Sequence, residues 1–302
     1  MPNPTDIRRS NLIGMGWMFL AGLCFSGMHA SIRYVGQDLH PFEIAFFRNL
    51  FGLLALSPLF LRYGFAPLKA TRPGLLTIRA ILNLGAMLAF FSALTLAPLA
   101  DVAALGFTAP IFATALAIPF LGETVGWRRT AAIAVGFLGA MIIIRPGFSE
   151  IDLGHGLVLV SSLLWAVAML VIKQISKTDS SLTITLYMGI MLTPLSLPFA
   201  MAVWIWPEPH HWVWLVGIGI LGGLAQLGLT EALRRGETAV VMPMDFFKLL
   251  WAALLGFFIF GQQPGLYTVL GGLVIFAAAT YIALRETRLR KPLPATSRSN
   301  PT

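Results

Sequence analysis

The chain has 302 residues, 57% of them hydrophobic and only 11% charged, with a net charge of +8. Soluble domains carry about a quarter charged residues, so this composition excludes an ordinary water-soluble fold. The positive balance is not a nucleic-acid footprint either, because no basic patch interleaved with aromatics accompanies it.

Ten apolar segments, each near the length a helix rising about 1.5 Å per residue needs to cross hydrocarbon, are predicted at 11–35, 41–62, 72–95, 98–121, 127–145, 154–175, 181–204, 211–234, 237–261 and 264–286. The first follows Arg8 and Arg9, yet its apolar core is much longer than the roughly 7–15 residues of a signal peptide, so it reads as a span. It carries the single cysteine, Cys24, so no intramolecular disulfide is expected. Gly22, Ser26, His29 and Arg33 line one face of it. His29 is either a neutral hydrogen-bonding residue or a proton-coupling one.

In the second span Arg48 reads as structural, with Glu43 as a partner within reach. Arg79, Asn83, Met87 and Phe90 share a face of the third, and Arg79 is close enough to its end to snorkel. Ala132, Gly136 and Ala140 in the fifth suit close helix packing. In the sixth, Ser161 and Ser162 accompany Trp165 near mid-span, where the indole is either a stacking platform or ordinary core.

The loop "WIWPEPHHWVW" supplies interfacial tryptophans, and its Glu208, His210 and His211 read as a wet loop rather than a metal site. Gly217, Gly219 and Gly222 in the eighth span have dinucleotide-motif spacing without the flanking strand, so with Gly223 they suit packing. Gln226 and Thr230 continue that face. Ser26, Asn83 and Gln226 could each bond helix to helix or touch a substrate.

"MPMDFFKLL" in the ninth span puts Asp245 about two turns inside and Lys248 nearly halfway across. Their spacing allows mutual neutralisation, and Pro243 upstream can leave carbonyls free, as in broken transporter helices. The pair is either a closed structural one or the counter-ions of an amino-acid zwitterion. The tail, 287–302, is basic and then rich in proline and serine, and is expected to be disordered.

Sixteen of the 21 Lys and Arg residues fall on one side of the predicted spans, among them Lys69 and Arg128, and two on the other. The bias places both termini in the cytoplasm. The two halves are also alike. "FLGETVGWRRTAAIAVGFLGA" lies over "IFGQQPGLYTVLGGLVIFAAA" at an offset of 139, and "GWMFLAGLCFSGMHASIRYVG" over "GLVLVSSLLWAVAMLVIKQIS" at 140, putting Phe25 on Trp165. Five spans per half force opposite insertion, so the fold class is an all-α integral membrane protein of two inverted five-helix repeats. The divisions are an N-terminus at 1–10, repeats at 11–145 and 154–286, and the tail.

"HPFEIAFFRNLFGLL", "RAILNLGAMLAFFSALTLAPLADVAALGFTAPIFATALAIPFLGE" and the echo "FFIFGQQPG" resemble the drug/metabolite transporter superfamily, with its paired EamA-like domains, over nearly all of 14–286. Within it the chain is most similar to bacterial exporters of aromatic amino acids. The resemblance implies an inner-membrane protein with a cavity lined by helices 1, 3, 4, 6, 8 and 9. One departure stands out: Glu123 in the first half is answered by Gln262 in the second, so no role can need a carboxylate at both.

The expected function is therefore a secondary transporter exporting aromatic or other neutral amino acids, or related metabolites, by alternating access. Importers of nucleosides, vitamins or S-adenosylmethionine in the same superfamily are the alternative, and an intramembrane enzyme is a remoter one. Candidate substrate-binding residues are Ser26, His29, Asn83, Met87, Phe90, Trp165, Gln226, Asp245 and Lys248. No P-loop or hydrolase motif is present, and neither cofactor nor metal is expected. Expected partners are a small-molecule substrate and the lipid bilayer, with no nucleic acid, in a monomer or weak homodimer.

Overall fold

Hydrocarbon offers backbone amides no partner, so a chain of this composition must satisfy its hydrogen bonds within helices. The computed structural model describes residues 4–63, 71–121, 127–145, 152–175, 178–179, 181–235, 244–245 and 247–289, and these are overwhelmingly helical. The helices are α1 (Pro4–Val35), α2 (Pro41–Tyr63), α3 (Pro73–Leu96), α4 (Leu99–Gly106), α5 (Ala109–Leu121), α6 (Trp127–Ile144), α7 (Leu153–Ile175), α8 (Ser181–Met201), α9 (Pro209–Arg235), α10 (Phe247–Phe260) and α11 (Leu266–Leu289). Pro41, Pro73 and Pro209 open helices at a position whose amide has no intrahelical acceptor.

Two of the ten spans differ from the expected continuous helix. The fourth is α4 and α5 with a break at Phe107 and Thr108. Pro110 has no N–H for the Gly106 carbonyl, and its ring would crowd it, so the ladder cannot run through. The chain instead tightens into a turn: Phe107 N–H donates to Ala104 O at 3.2 Å and Thr108 N–H to Leu105 O at 2.9 Å. The Thr108 hydroxyl also donates to Leu105 O, at 2.6 Å.

In the ninth span, α10 begins only at Phe247 and is preceded by a short 3₁₀ turn at 244–245, while Pro243 lies outside the described residues. Its 14 residues reach about 21 Å, short of the roughly 30 Å of hydrocarbon. Lys248 thus stands in the first turn of a short helix instead of midway along a long one. The repeat offset of 139 carries Thr108 onto Phe247, so the two breaks occupy equivalent places in the two halves. At its other end α10 closes on Gly261, φ +65°, a left-handed position that costs glycine nothing.

The packing obeys the same pseudo-two-fold exchange. α1 lies along α9 as α7 lies along α3; α2 meets α9 as α8 meets α3; and α1 meets α10 as α7 meets α5. α2 with α8 and α6 with α11 are each paired across the axis. One continuous core runs through both halves, including Leu88, Leu94, Leu105, Val158, Leu215 and Ile275.

Glycines set the closest approaches. A Cβ on Gly139 of α6 would sit 2.9 Å from the Gly271 carbonyl and 3.0 Å from Ile275 N on α11. On α9, Gly219 faces Phe51 and Gly52 of α2, and Gly223 faces Ala55, which is the packing role expected for that glycine run. Gly222 makes room for the Arg48 guanidinium. Arg48 does not pair with Glu43: its Nη1 donates to Asn49 Oδ1 at 3.2 Å, whereas Glu43 Oε2 accepts Ile205 N–H at 3.2 Å. The physical reason is that the Ile205 amide, between α8 and α9, has no helical carbonyl to bond and takes the carboxylate as its acceptor. Arg79 does not end its reach at the helix terminus but donates to Ile184 O of α8 at 3.4 Å.

Gly271→Val should force α6 and α11 apart and cost about 1–3 kcal/mol, read as a lower melting temperature of the purified protein in detergent. Gly16→Val, at a glycine with nothing within 4 Å, is the control and should leave the melt nearly unchanged.

Candidate substrate site

The polar face of α1 meets α10 and α3. Gly22 faces the Lys248 side chain, and a Cβ there would stand 3.4 Å from Lys248 Cγ. The buried Ser26 hydroxyl donates to the Lys248 carbonyl at 3.2 Å. Further along the helix, the His29 ring lies 5.0 Å from Phe90 of α3 and 6.2 Å from Phe25. Arg33 ends the stripe by donating to the Leu94 carbonyl at 2.7 Å and to Ala97 O, with its guanidinium 5.4 Å from the Phe260 ring. A cation there suits the carbonyl end of α3.

Asp245 and Lys248 form an ion pair at the start of α10, and both side chains are largely buried. The aspartate is favourably placed at the positive end of a helix and the lysine is not. Lys248 is held there by the carboxylate and by the Phe25 ring, 4.7 Å from Nζ. Lys248, Phe25, His29 and Phe90 therefore form one ladder from the break in the ninth span to α3.

On α3, Asn83, Met87 and Phe90 are half-buried and lie on the same side as the fully buried Ala80 and Leu94. The opposite side carries the exposed Ile78, Ile81 and Leu96, which suit lipid. Asn83 is half-buried, and no hydrogen bond joins its amide to another described residue.

α7 repeats this arrangement. Ser161 donates to Ala86 O of α3 at 2.7 Å, and Leu164 meets Gly85. On the adjacent arc, shared with the buried Val158 and Ser162, Trp165 and Met169 are 38% and 40% exposed. This arc is opposite that of the exposed Val160 and Leu163.

The structure thus brings Ser26, His29, Phe90, Asp245 and Lys248 into direct succession, with Asn83, Met87 and Trp165 on inward arcs. Gln226 is exposed and continues the α9 edge whose Gly219 and Gly223 pack on α2. Two members were missed. The repeat offset of 140 puts Phe25 on Trp165 and His29 on Met169, a signal that nominates both Phe25 and Met169.

The loop histidines form a clasp. His211 Nδ1 accepts the Glu208 N–H at 3.1 Å and Nε2 faces Asp38 Oδ2 at 3.2 Å, so both ring nitrogens are engaged. Asp38, His210 and His211 could come together around a metal only by giving up those bonds. Gln262 is a structural residue as well, since its Oε1 accepts Leu99 N–H at 3.1 Å, for which an amide serves as well as a carboxylate. Glu123 lies outside the described residues.

Comparison with known proteins agrees with this architecture. The model of the EamA-like transporter family matches the chain twice, over residues 12–145 and 152–284. An S-adenosylmethionine uptake transporter of Rickettsia felis is 27% identical over 283 residues, 94% of this chain and 96% of that protein. A riboflavin transporter of Rhizobium johnstonii is 33% identical over 285 residues, covering 93% and 94%. A pseudopaline exporter of Pseudomonas aeruginosa is 28% identical over 271 residues, covering 89% and 94%. A solved crystal structure shares the fold, with a TM-score of 0.61 over 94% of this chain and 99% of that one, at 18% identity. Two five-span repeats, helices broken at equivalent points and two successive matches of one family model have a single reading: the chain is a multi-pass membrane protein and belongs to the EamA-like transporter family.

Proposed function

We propose that the chain is a secondary transporter for a small metabolite bearing a planar heteroaromatic ring, and that it works in uptake. The observation that carries this reading is the aromatic lining: Trp165, Phe90 and His29 lie on inward faces, with the Asp245–Lys248 pair at one end. Rings with exposed faces suit a flat π-system, and a buried charge pair suits a polar appendage. S-adenosylmethionine and riboflavin, named for relatives of this chain, both combine those parts. These relatives favour the importer reading over the amino-acid export expected from the sequence resemblance, while the pseudopaline exporter keeps the opposite direction within the family.

Transport itself follows from the repeat. Two halves of like fold and opposite sense have two packings of similar energy, and rocking between them opens the intervening space to either side. The orientation we propose is that of a bacterial inner-membrane protein with both termini cytoplasmic, on the strength of the lysine and arginine bias. In a Cys24→Ala background, Arg128→Cys should react with an impermeant maleimide only after permeabilisation, and His210→Cys in intact cells. The reverse pattern overturns the orientation.

Counterflow in proteoliposomes tests the substrate class. Labelled S-adenosylmethionine or riboflavin should exchange in a saturable way, and phenylalanine and threonine should compete weakly. Exchange of amino acids alone would return the reading to amino-acid transport. Trp165→Ala should reduce exchange of the ring-bearing substrate by about three- to tenfold, the size of one aromatic contact, without lowering the yield of folded protein.

The charge pair is tested by Asp245→Asn with Lys248→Met. Removing both buried charges is often neutral for folding, so the double variant should fold. Its exchange of S-adenosylmethionine should fall by about tenfold or more, an effect of order 1.4 kcal/mol. Wild-type exchange by a folded double variant would make the pair purely structural.

A further inference from the structure

At the end of the bundle where α1, α6 and α10 finish and α4, α7 and α11 begin lies a cavity of about 240 Å³. Asp101, Arg145, His155, Gln262, Tyr267 and Thr268 contribute to its wall. Inside it, Asp101 of α4 is bonded on both carboxylate oxygens: Oδ1 accepts the Thr268 hydroxyl of α11 at 2.6 Å, and Oδ2 lies 3.1 Å from His155 Nε2 of α7. The histidine and aspartate side chains are only 12% and 15% exposed. Asp101 belongs to the first half of the chain, and His155 and Thr268 to the second.

Both of these carboxylate bonds therefore join the first half of the chain to the second. Others at the same end do likewise: Leu99 N–H to Gln262 Oε1, Ile205 N–H to Glu43 Oε2, and His211 to Asp38. These contacts tie the halves together at this end, and in the Asp101 cluster both the histidine and its carboxylate partner are largely buried, whereas the Asp38 that faces His211 is 58% exposed.

We propose that His155 with Asp101 is a proton-binding site that holds this end of the transporter closed when the adjoining solution is acidic. The inference rests on the alternating-access reading given above. His155 Nε2 faces Asp101, which leaves Nδ1 as the atom that gains or loses the proton. Nδ1 is buried and has no hydrogen-bond partner among the described residues. The imidazolium has two carboxylates close by, Asp101 across the boundary and Asp152 at the start of its own helix, where Asp152 Oδ1 accepts Gly154 N–H at 2.9 Å. The opposing cation in the cavity wall is Arg145 at the end of α6, whose guanidinium lies 4.5 Å from the Tyr267 ring of α11. Arg33 of α1, near Asp152, is drawn to the carbonyls ending α3. α10 contributes Ala253 and Gly256, and the following turn the neutral Gln262 and Gln263.

The sign follows from linkage. In the closed state a protonated His155 is paired with Asp101; once the halves part, the pair is broken and water replaces it. The closed state therefore binds the proton more tightly, and by reciprocity acid shifts the population toward closure. The ligand is the proton itself, taken from water on that side of the membrane.

The test uses the full-length protein in nanodiscs and needs no substrate, so it can fail or succeed independently of the counterflow experiment. Spin labels at Leu96→Cys and Leu266→Cys, both exposed positions at this end in opposite halves, report the separation in a Cys24→Ala background. Between about pH 8 and about pH 5, where imidazole titrates, the short-distance population should rise by at least about threefold. His155→Gln keeps an N–H donor for Asp101 and cannot take the proton, so its distance distribution should be flat across that range. Asp101→Asn, the second variant should His155→Gln fold poorly, keeps the histidine and removes its cross-boundary charge, and should lose most of the acid closure. The proposal is overturned if the wild type shows no acid closure, or if either folded variant closes with acid as the wild type does.

Discussion

The structure depends on one constraint: within the bilayer core, each backbone amide and carbonyl must find its partner inside the protein. Helices satisfy it by default, which is why the described residues are overwhelmingly helical. The informative places are those where the ladder stops at membrane depth. At Phe107 and Thr108 the ladder yields to Pro110, and a tightened turn with the Thr108 hydroxyl takes up the freed Leu105 carbonyl. Before α10, a 3₁₀ turn and a charge pair stand at the helix start. Irregular backbone at such depth is tolerated where protein or an internal cavity surrounds it, and both breaks face the bundle.

The two halves are alike in fold and unlike in chemistry. Equivalent positions carry His29 and Met169, Phe25 and Trp165, and at the breaks an uncharged Thr108 against a neighbouring Asp245 and Lys248. A pair of equivalent helix breaks thus frames unlike chemistry, with rings contributed by α1, α3 and α7 and the Asp245–Lys248 pair at the start of α10. For the substrate proposed above, that asymmetry would set a direction, its flat apolar part toward Trp165 and Phe90 and its polar part toward the charge pair. The helix contacts nonetheless remain equivalent on the two sides.

Polar residues in this protein fall into two groups by what they touch. Glu43, Asn49, Ser161, Gln262 and Arg79 bond backbone or side chain across helix boundaries, and each removes an unmet donor or acceptor. The side chains of Asn83, His29, Asp245 and Lys248 make no hydrogen bond of that kind across helix boundaries among the described residues. The Asp179 carboxylate, at the end of the bundle opposite the His155 cluster, belongs to the first group: the Thr71 N–H at 2.6 Å, aided by the Thr178 hydroxyl, holds it below the usual carboxylate range and ties the approach to α3 to the approach to α8.

The sequence by itself determined the solvent, the number of spans and the two-fold repeat, because hydrocarbon thickness and helix rise leave little choice once runs of about twenty apolar residues appear. It also determined which faces of α1 and α3 are polar, since helical periodicity is a local property: Ser26, His29 and Arg33 lie in line wherever the helix docks. It even held the pairing of Phe25 with Trp165 in its repeat offset. Only the tertiary structure decided which of those faces meet. Gln226, like Asn83, is a polar residue on a helical stripe, yet the glycines on its own edge are small enough for α9 to lie against α2. Glu43 and Arg48 are close enough in sequence to pair, yet an unmet amide at Ile205, 162 residues further along the chain, claimed the glutamate. Asp101, His155 and Thr268 are unremarkable singly in three separate spans, and no local signal joins them. They become one cluster because α4, α7 and α11 all begin at the same end of the bundle, and long-range juxtaposition of that kind is fixed by the packing of whole helices rather than by any stretch of sequence.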